Sequence, residues 1–297
     1  MNYLVIGNEY SGTDKGSKVL AEVEQYLTGK NIPFTMKKTE YAGHAIELAR
    51  QGYAQGYRDF LVVGGDGTFN EVINGLTDST KEDPVTLALL PAGSGNDLIR
   101  SNTALKGTPS QMLDYILQAE PIWIDCGAVN GGRFLNVCGF GLDVELVLRQ
   151  EKIKKYFKGA ISYYLATLIT ICNLKAYPVK YRIDDGDYLE DEIFLFAVGN
   201  GRSYGGGFLV QPEAALQDGL LDVCVVSKVS FFKVIGLLLK LTKGEHITCK
   251  DYVRYYKCKK VEMDSANHTL PLNFDGELVQ HAPMNCEILP QCFKLYV

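Results

Sequence analysis

The stretch from Phe60 to Leu76, FLVVGGDGTFNEVINGL, constrains the fold more than any other part of the chain. Four apolar residues, Phe60 to Val63, have the pattern of a buried strand in a parallel sheet. Gly64, Gly65 and Gly67 follow at once, wrapped around Asp66. Thr68 then opens a run with Phe69, Val72, Ile73 and Leu76 on one helical face. The order is strand, glycine turn, helix. Such a junction offers free backbone N–H groups and the positive end of a helix to an anion. The glycines let the backbone approach a phosphate closely, because no Cβ intervenes. Asp66 would repel a bare phosphate, so an acid there fits a phosphate that arrives with Mg²⁺. Taken alone, GGDG is equally an ordinary tight turn. Neither GxxxxGK[ST] nor GxGxxG occurs. A second loop of the same kind, one unit later, favours the phosphate site.

The chain around this stretch alternates strand and helix. Tyr3 to Ile6 read as a strand, followed by the polar loop Gly7-Asn8-Glu9-Tyr10-Ser11-Gly12 and a helix from Lys15 to Leu27. Pro33 to Met36 predict a second strand ending at Lys38-Thr39-Glu40, and Gly43 to Ala54 a second helix. After the glycine loop, Val85 to Leu90 give another apolar strand. It runs into Pro91-Ala92-Gly93-Ser94-Gly95-Asn96-Asp97, and Leu113 to Leu117 belong to one more helix. This βαβα rhythm implies a parallel sheet with right-handed crossovers. Ligands then bind beyond the carboxyl ends of its strands, where loops 7–12, 39–40, 64–68 and 91–97 lie.

The rhythm changes near Pro121. Ile122 to Val129 and Arg133 to Phe140 flank Asn130-Gly131-Gly132, a hairpin signal. A helical stretch from Val144 to Leu174 is broken at Gly159. Val179 to Ile183 and Glu192 to Val198 flank Asp184-Asp185-Gly186-Asp187, a second hairpin. Strand-like runs follow at 220–226, 252–263, 270–274 and 286–289. The expected fold is an α/β nucleotide-binding domain with a parallel sheet over residues 1–124. An antiparallel β-rich, sandwich-like domain with inserted helices follows over 125–290, and a last strand lies in 291–297.

At 297 residues and 46% hydrophobic content, such a chain can bury two cores. A formal net charge of −5 argues against a nucleic-acid binder. Met1 leads directly into a strand-like NYLVIG with no basic leader. The longest apolar runs, near 161–174 and 229–241, fall short of the roughly 20 residues needed to cross a bilayer. Eight scattered cysteines without a CxxC pair predict free, mostly buried thiols and a reduced, cytoplasmic setting. His44, His246, His268 and His281 show no ligand spacing.

GGDGTFNEVINGL and PAGSGNDLIR together resemble the diacylglycerol kinase catalytic-domain family, which includes bacterial soluble lipid kinases and is related to the sphingosine kinases. The resemblance continues through Gly199-Asn200-Gly201, the glycines at 205–207, Asp218-Gly219-Leu220-Leu221-Asp222 and Asn273-Phe274-Asp275-Gly276-Glu277, and so spans the chain. It implies ATP held in a cleft between two domains and a last strand, over 291–297, that returns to the N-terminal domain. Asn8 to Gly12 match the family's NPxSG loop, with Glu9 and Tyr10 in place of the usual proline and its neighbour. Thr39 matches a threonine that contacts ATP. Gly65, Asp66, Gly67, Thr68, Phe69, Asn70 and Glu71, following Gly64, match the phosphate loop. Ser94 matches a hydroxyl of the second loop, with Asn96 and Asp97 beside it. Asp218 matches a metal-binding aspartate, and the backbone carbonyls of Ala215 and Leu220 would complete that Mg²⁺ site. The DGE motif, Asp275 and Glu277, would hold the catalytic base.

The chemistry asks for the same parts. Phosphoryl transfer to an alcohol needs Mg²⁺ to offset charge, donors on the phosphates, and a carboxylate near the hydroxyl. Asp275 and Glu277 both qualify, and their spacing does not rank them. Asp66 and Asp97 are expected to hold water or Mg²⁺, linked through water to Asp218; Asp97 also fits an N-cap. The expected activity is transfer of the γ-phosphate of ATP to a lipid hydroxyl, with diacylglycerol as acceptor and phosphatidic acid as product. The alternatives are an NAD kinase-like enzyme and a catalytically silent lipid-binding regulator on the same fold.

Two stretches could face a membrane. Leu146, Val147, Tyr156, Phe157, Tyr163 and Tyr164 are interleaved with Arg149, Lys152, Lys154, Lys155 and Lys158. Phe231 and Phe232 accompany Lys233, Lys240 and Lys243. Both patterns suit the surface of an anionic bilayer, and equally two ordinary amphipathic helices. The expected partners are the lipid substrate and a peripheral membrane surface, with no nucleic acid; an exposed strand edge would permit a homodimer.

Overall fold

A computed structural model of the chain describes residues 2–12, 15–93, 95–100, 105, 107–154, 156–157, 160–265, 270–279 and 283–297, with side chains at 100, 154, 160–161, 163–164 and 277 left out. It divides into two compact units. The first comprises Met1–Cys126 with Leu289–Val297, and the second Gly127–Ile288.

The first unit is built in βα repeats. Its elements are β1 (Tyr3–Gly7), α1 (Lys15–Gly29), β2 (Phe34–Lys38), α2 (His44–Ala54), β3 (Asp59–Gly64), α3 (Asp66–Gly75) and β4 (Thr86–Pro91). A short α4 (Asp97–Arg100) and α5 (Pro109–Ile116) follow, then β5 (Ile122–Val129), which leads into the second unit. Strands β2, β1, β3 and β4 lie side by side in parallel register, with Tyr3 opposite both Phe34 and Asp59 and Phe60 opposite Leu87. The central strands β1 and β3 are buried on both faces, which explains their unbroken apolar runs. The C-terminal end of the chain extends this sheet: Lys294 and Leu295 pair in parallel with Thr86 and Leu87.

The second unit is antiparallel β with helices inserted. In order it contains β6 (Gly132–Phe134), β7 (Val137–Gly141), α6 (Leu142–Lys154), α7 (Ala160–Cys172), β8 (Tyr177–Ile183), β9 (Leu189–Gly199), β10 (Leu221–Ser227) and α8 (Phe231–Leu241). A 3₁₀ turn at Glu245–Thr248 precedes β11 (Val253–Cys258), β12 (Lys260–Asp264), β13 (Leu272–Phe274), β14 (Glu277–Val279) and β15 (Met284–Leu295). One core gathers Phe134, Phe140, Tyr181, Phe196 and Met284; another sets Leu237 of α8 against Leu195, Val210 and Val253. The α/β plus antiparallel β-rich architecture is the one the sequence predicts.

Three strands differ from expectation: the runs at 286–289 and 291–297 are one continuous strand, β15, and two others break at identifiable contacts. The predicted arm Arg133 to Phe140 breaks between β6 and β7, because the amides at 135–137 bond to Asp275 instead of continuing the ladder. The run 252–263 is two strands, not one. Asp184, in the left-handed region at φ 48°, accepts the N–H groups of Lys259 and Lys260 and turns the chain there. Beyond the break β12 pairs with β8 and β15, while β11 pairs with β10. All eight cysteines are free. Among the described residues, no helix is long and apolar enough to cross a membrane.

Candidate active site

The loops of the first unit converge at the carboxyl ends of β1, β3 and β4. Gly64 ends β3, and Gly65 enters α3 in extended conformation. The second loop is stitched to the first: Ala92 N and Gly93 N donate to Gly64 O at 2.7 and 3.2 Å. A Cβ on Gly93 would stand 2.6 Å from Gly65 Cα, and one on Gly12 would stand 2.1 Å from Ala92 O. These glycines therefore permit direct backbone contact between the loops as well as access for a phosphate. Gly67 lies in the first turn of α3.

Asn8 bridges two loops, its Nδ2 reaching Thr68 Oγ1 at 3.4 Å and its Oδ1 accepting Tyr10 N at 3.0 Å. That Asx turn supplies the tight bend without the family's proline. Ser11 O accepts Gly16 N at 3.0 Å, which starts α1, and Thr39 N donates to Gly7 O at 2.8 Å. Glu9 pairs with Lys38 at 2.9 Å, and Tyr10 stands in solvent. Phe69 is a core side chain whose N–H donates to Gly65 O at 3.1 Å, and Asn70 is buried beside Asn74, so neither side chain is presented to a ligand.

Three acids of this unit have particular surroundings. Glu71, expected on the phosphates, instead accepts the amides of Gly43 and Ala45 at 2.9 and 3.1 Å and so caps α2. Asp66 lies under the second loop. Burial pushes its carboxyl up, and the backbone amides of Asn96, Leu98 and Asp97 pull it part of the way back. Asp97 begins α4 and is buried. Asn96 adopts φ 53° and donates to Gly93 O at 2.8 Å. Ser94 lies outside the described residues.

In the second unit the DGE turn is held with unusual firmness. Asp275 sits at φ 49° and Gly276 at φ 97°. The Asp275 carboxylate accepts three consecutive amides: Leu135 N at 3.0 Å, Asn136 N at 3.1 Å and Val137 N at 2.7 Å. These are the arrangements of an anchor, since both oxygens are engaged. Asn136 in turn accepts Gly201 N through its own carbonyl at 3.0 Å. A Cβ on Gly201 would meet Asn136 Oδ1 at 1.9 Å, so the Gly199-Asn200-Gly201 motif makes room for this segment. Glu277 opens β14, and its side chain is outside the described atoms.

Sequence reasoning missed Asp143, in the first turn of α6. It is 4% exposed. Its Oδ2 accepts Asn273 Nδ2 at 3.1 Å, while Asn273 Oδ1 accepts Gly276 N at 2.9 Å, so one amide links this acid to the DGE turn. Asp143 Oδ1 is buried without a hydrogen-bond partner. Burial raises its pKa to about 6 against the opposing pull of Asn273 and the first-turn amides. Asp143 also lines a partly open apolar pocket together with Leu142, Leu146, Ile171, Leu195, Phe208, Leu238 and Leu241. One available signal was Gly139, where a Cβ would lie 1.8 Å from Asp143 Oδ2. The acid directly after GFGL was the other.

Asp218 was expected to ligate Mg²⁺ with the carbonyls of Ala215 and Leu220. In the structure its Oδ1 accepts Leu220 N at 3.2 Å and its Oδ2 accepts Lys257 Nζ at 3.1 Å. Both oxygens are occupied, one of them by a cation. The loop as folded does not fit a divalent ion unless Lys257 moves. Among the described residues, no group of three or more His, Cys, Asp or Glu side chains gathers to hold a metal.

Known proteins give the same outline. The diacylglycerol kinase catalytic domain matches residues 2–129, and the YegS C-terminal NAD kinase beta sandwich-like domain matches residues 136–297. A diacylglycerol kinase of Bacillus subtilis (strain 168) is 30% identical over 274 residues, covering 92% of this chain and 88% of the relative. One from Staphylococcus carnosus (strain TM300) is 28% identical, covering 98% and 94%. The crystal structure of a diacylglycerol kinase from Bacillus anthracis str. Sterne superposes with a TM-score of 0.80 at 27% identity, covering 99% of this chain and 96% of that one. With both domain matches in order and the glycine loops, the DGE turn and the β-rich second unit in place, the chain belongs to the diacylglycerol kinase catalytic-domain family.

Proposed function

We propose that the protein is a lipid kinase that transfers the γ-phosphate of ATP to the primary hydroxyl of diacylglycerol, giving phosphatidic acid. The observation that carries this reading is the apolar pocket of the second unit, with one buried acid, Asp143, tied through Asn273 to the DGE turn. Apolar walls around a single carboxyl suit an acyl-bearing alcohol and would not suit a dinucleotide. The glycine loops of the first unit would hold the nucleotide phosphates through backbone N–H groups at the start of α3. Mg²⁺, arriving with ATP, supplies charge neutralisation on those phosphates. The lipid oxygen attacks the γ-phosphorus, the bond to the ADP oxygen breaks, and the hydroxyl proton passes to a carboxylate. With Asp275 engaged by three amides, Glu277 is the carboxylate assigned to take that proton.

The test is transfer of radiolabelled γ-phosphate from Mg²⁺-ATP to diacylglycerol in mixed micelles, beside NAD and other lipids. Label in phosphatidic acid supports the assignment. Label in NADP would instead favour the NAD kinase-like alternative, and bound ATP with no label anywhere the silent regulator.

The same reading puts the protein on an anionic membrane surface, through α8. Helical geometry at about 100° per residue sets Phe231, Ile235, Leu239 and Phe232 within one arc of about 100°. All four are exposed, Phe232 to 84%. Val234 and Leu237 face the core; Lys233, over the Tyr252 ring, and Lys240, against Cys249, lie on one side of the exposed arc, Lys243 follows the helix, and α8 carries no acid. A chain of net charge −5 concentrates positive charge here, which suits acidic headgroups. Phe232→Glu with Leu239→Glu should weaken binding to phosphatidylglycerol vesicles at least about tenfold. Activity on a soluble short-chain acceptor should persist. Unchanged sedimentation with vesicles would move the membrane contact elsewhere on the protein.

A further inference from the structure

Lys257 stands on β11 directly opposite Asp222 of β10. Its ammonium donates to three oxygens: Glu213 O at 2.8 Å, Asp218 Oδ2 at 3.1 Å and Asp222 Oδ2 at 3.2 Å. An ammonium has three N–H donors, and all three are used. Asp222 is fully buried, and its second oxygen accepts the Tyr255 hydroxyl at 2.6 Å. Asp218 has its second oxygen on Leu220 N. Every oxygen of the two carboxylates therefore has a partner, and a single positive charge lies between them.

Two carboxylates and a backbone carbonyl around one point are the donor set that a hard divalent cation takes. Here the distances are those of hydrogen bonds, 2.8–3.2 Å, and the cation is carried by the chain. Without it, Asp218 and Asp222 would repel each other across the turn, with Asp222 excluded from solvent. Lys257 thus fixes the loop from Glu213 to Asp222 and holds β10 to β11 at its entrance. We propose that Lys257 is a built-in cation that replaces a divalent ion in this loop, so that the loop holds its shape without metal and the protein's magnesium requirement resides with the nucleotide alone.

This is independent of which acceptor is phosphorylated, and its test uses neither ATP nor turnover. The thermal midpoint of the nucleotide-free full chain is titrated with Mg²⁺ and Ca²⁺, for the native protein, Asp218→Asn and Lys257→Met. The native protein should show no saturable rise beyond that of Asp218→Asn. Lys257→Met should melt lower without metal and gain a saturable rise. Its apparent affinity for Mg²⁺ should be at least about tenfold tighter than that of the native loop, because a like charge has left two carboxylates. A Lys257→Met chain that folds and stays indifferent to metal would overturn the proposal. So would a saturable rise in the native protein that Asp218→Asn abolishes, and that comparison stands even where Lys257→Met fails to fold.

Discussion

Asp275→Asn is expected to lose folding stability and turnover together. Asparagine tolerates the left-handed φ of 49°, so the backbone is not the cause. The loss comes from the three amides. An asparagine oxygen in the place of Oδ1 keeps Asn136 N and Val137 N, now without charge assistance, and turns an NH₂ group onto Leu135 N. One buried donor goes unpaired and two bonds weaken, which costs about 2–4 kcal/mol. Asp275→Ala should cost more, since all three amides lose their acceptor and alanine resists the left-handed region. Turnover falls because the turn carrying Glu277 is no longer pinned. Glu277→Gln should show the opposite split, with the midpoint of denaturation kept and kcat down about 10²- to 10⁴-fold, the usual contribution of a general base. Denaturant titration and initial rates on the same preparations separate the two. An Asp275→Asn protein of native stability that is nonetheless inactive would return the proton to Asp275.

That pairing of residues 275 and 135–137 also shows where the sequence stops being legible. The strand, turn and helix around GGDG were readable because periodicity and glycine are local signals. The break after Phe134 was not, because the demand for three free amides comes from a residue some 140 positions later. The same holds at Lys259, where Asp184 turns the chain from across the sheet. Motifs located the loops along the chain and said less about what their side chains contact. Glu71 belongs to the phosphate-loop motif yet its carboxylate caps α2, and Asp218 lies in DGLLD yet faces Lys257. Asp143 carried no motif at all. Its meaning depends on the apolar walls around it and on Asn273, both supplied by distant strands and helices.

Asp143 should therefore give the clearest pH signature. Its pKa rises from the usual 3.8 to about 6 in the folded chain, with burial as the cause. The folded protein binds the extra proton between those values and the unfolded chain does not, so this acid favours folding at low pH. That contribution is fully present below about pH 4 and is lost as pH rises through about 6, a fall of about 3 kcal/mol. Asp143→Asn should remove this step from a plot of stability against pH between 4 and 7, and above pH 7 it should be at least as stable as the native protein. Its amide still accepts from Asn273, so the tie to the DGE turn survives. What it loses is the second carboxylate oxygen, buried without a hydrogen-bond partner on a residue that lines the apolar pocket. If that oxygen receives the acceptor hydroxyl, kcat/KM for the lipid should fall roughly ten- to hundredfold, while KM for ATP stays put. Gained stability with lost acceptor use is a combination that no purely structural residue would give. An Asp143→Asn enzyme with native lipid kinetics would detach the pocket from the reaction, and a stability profile that still drops near pH 6 would assign the proton to another group.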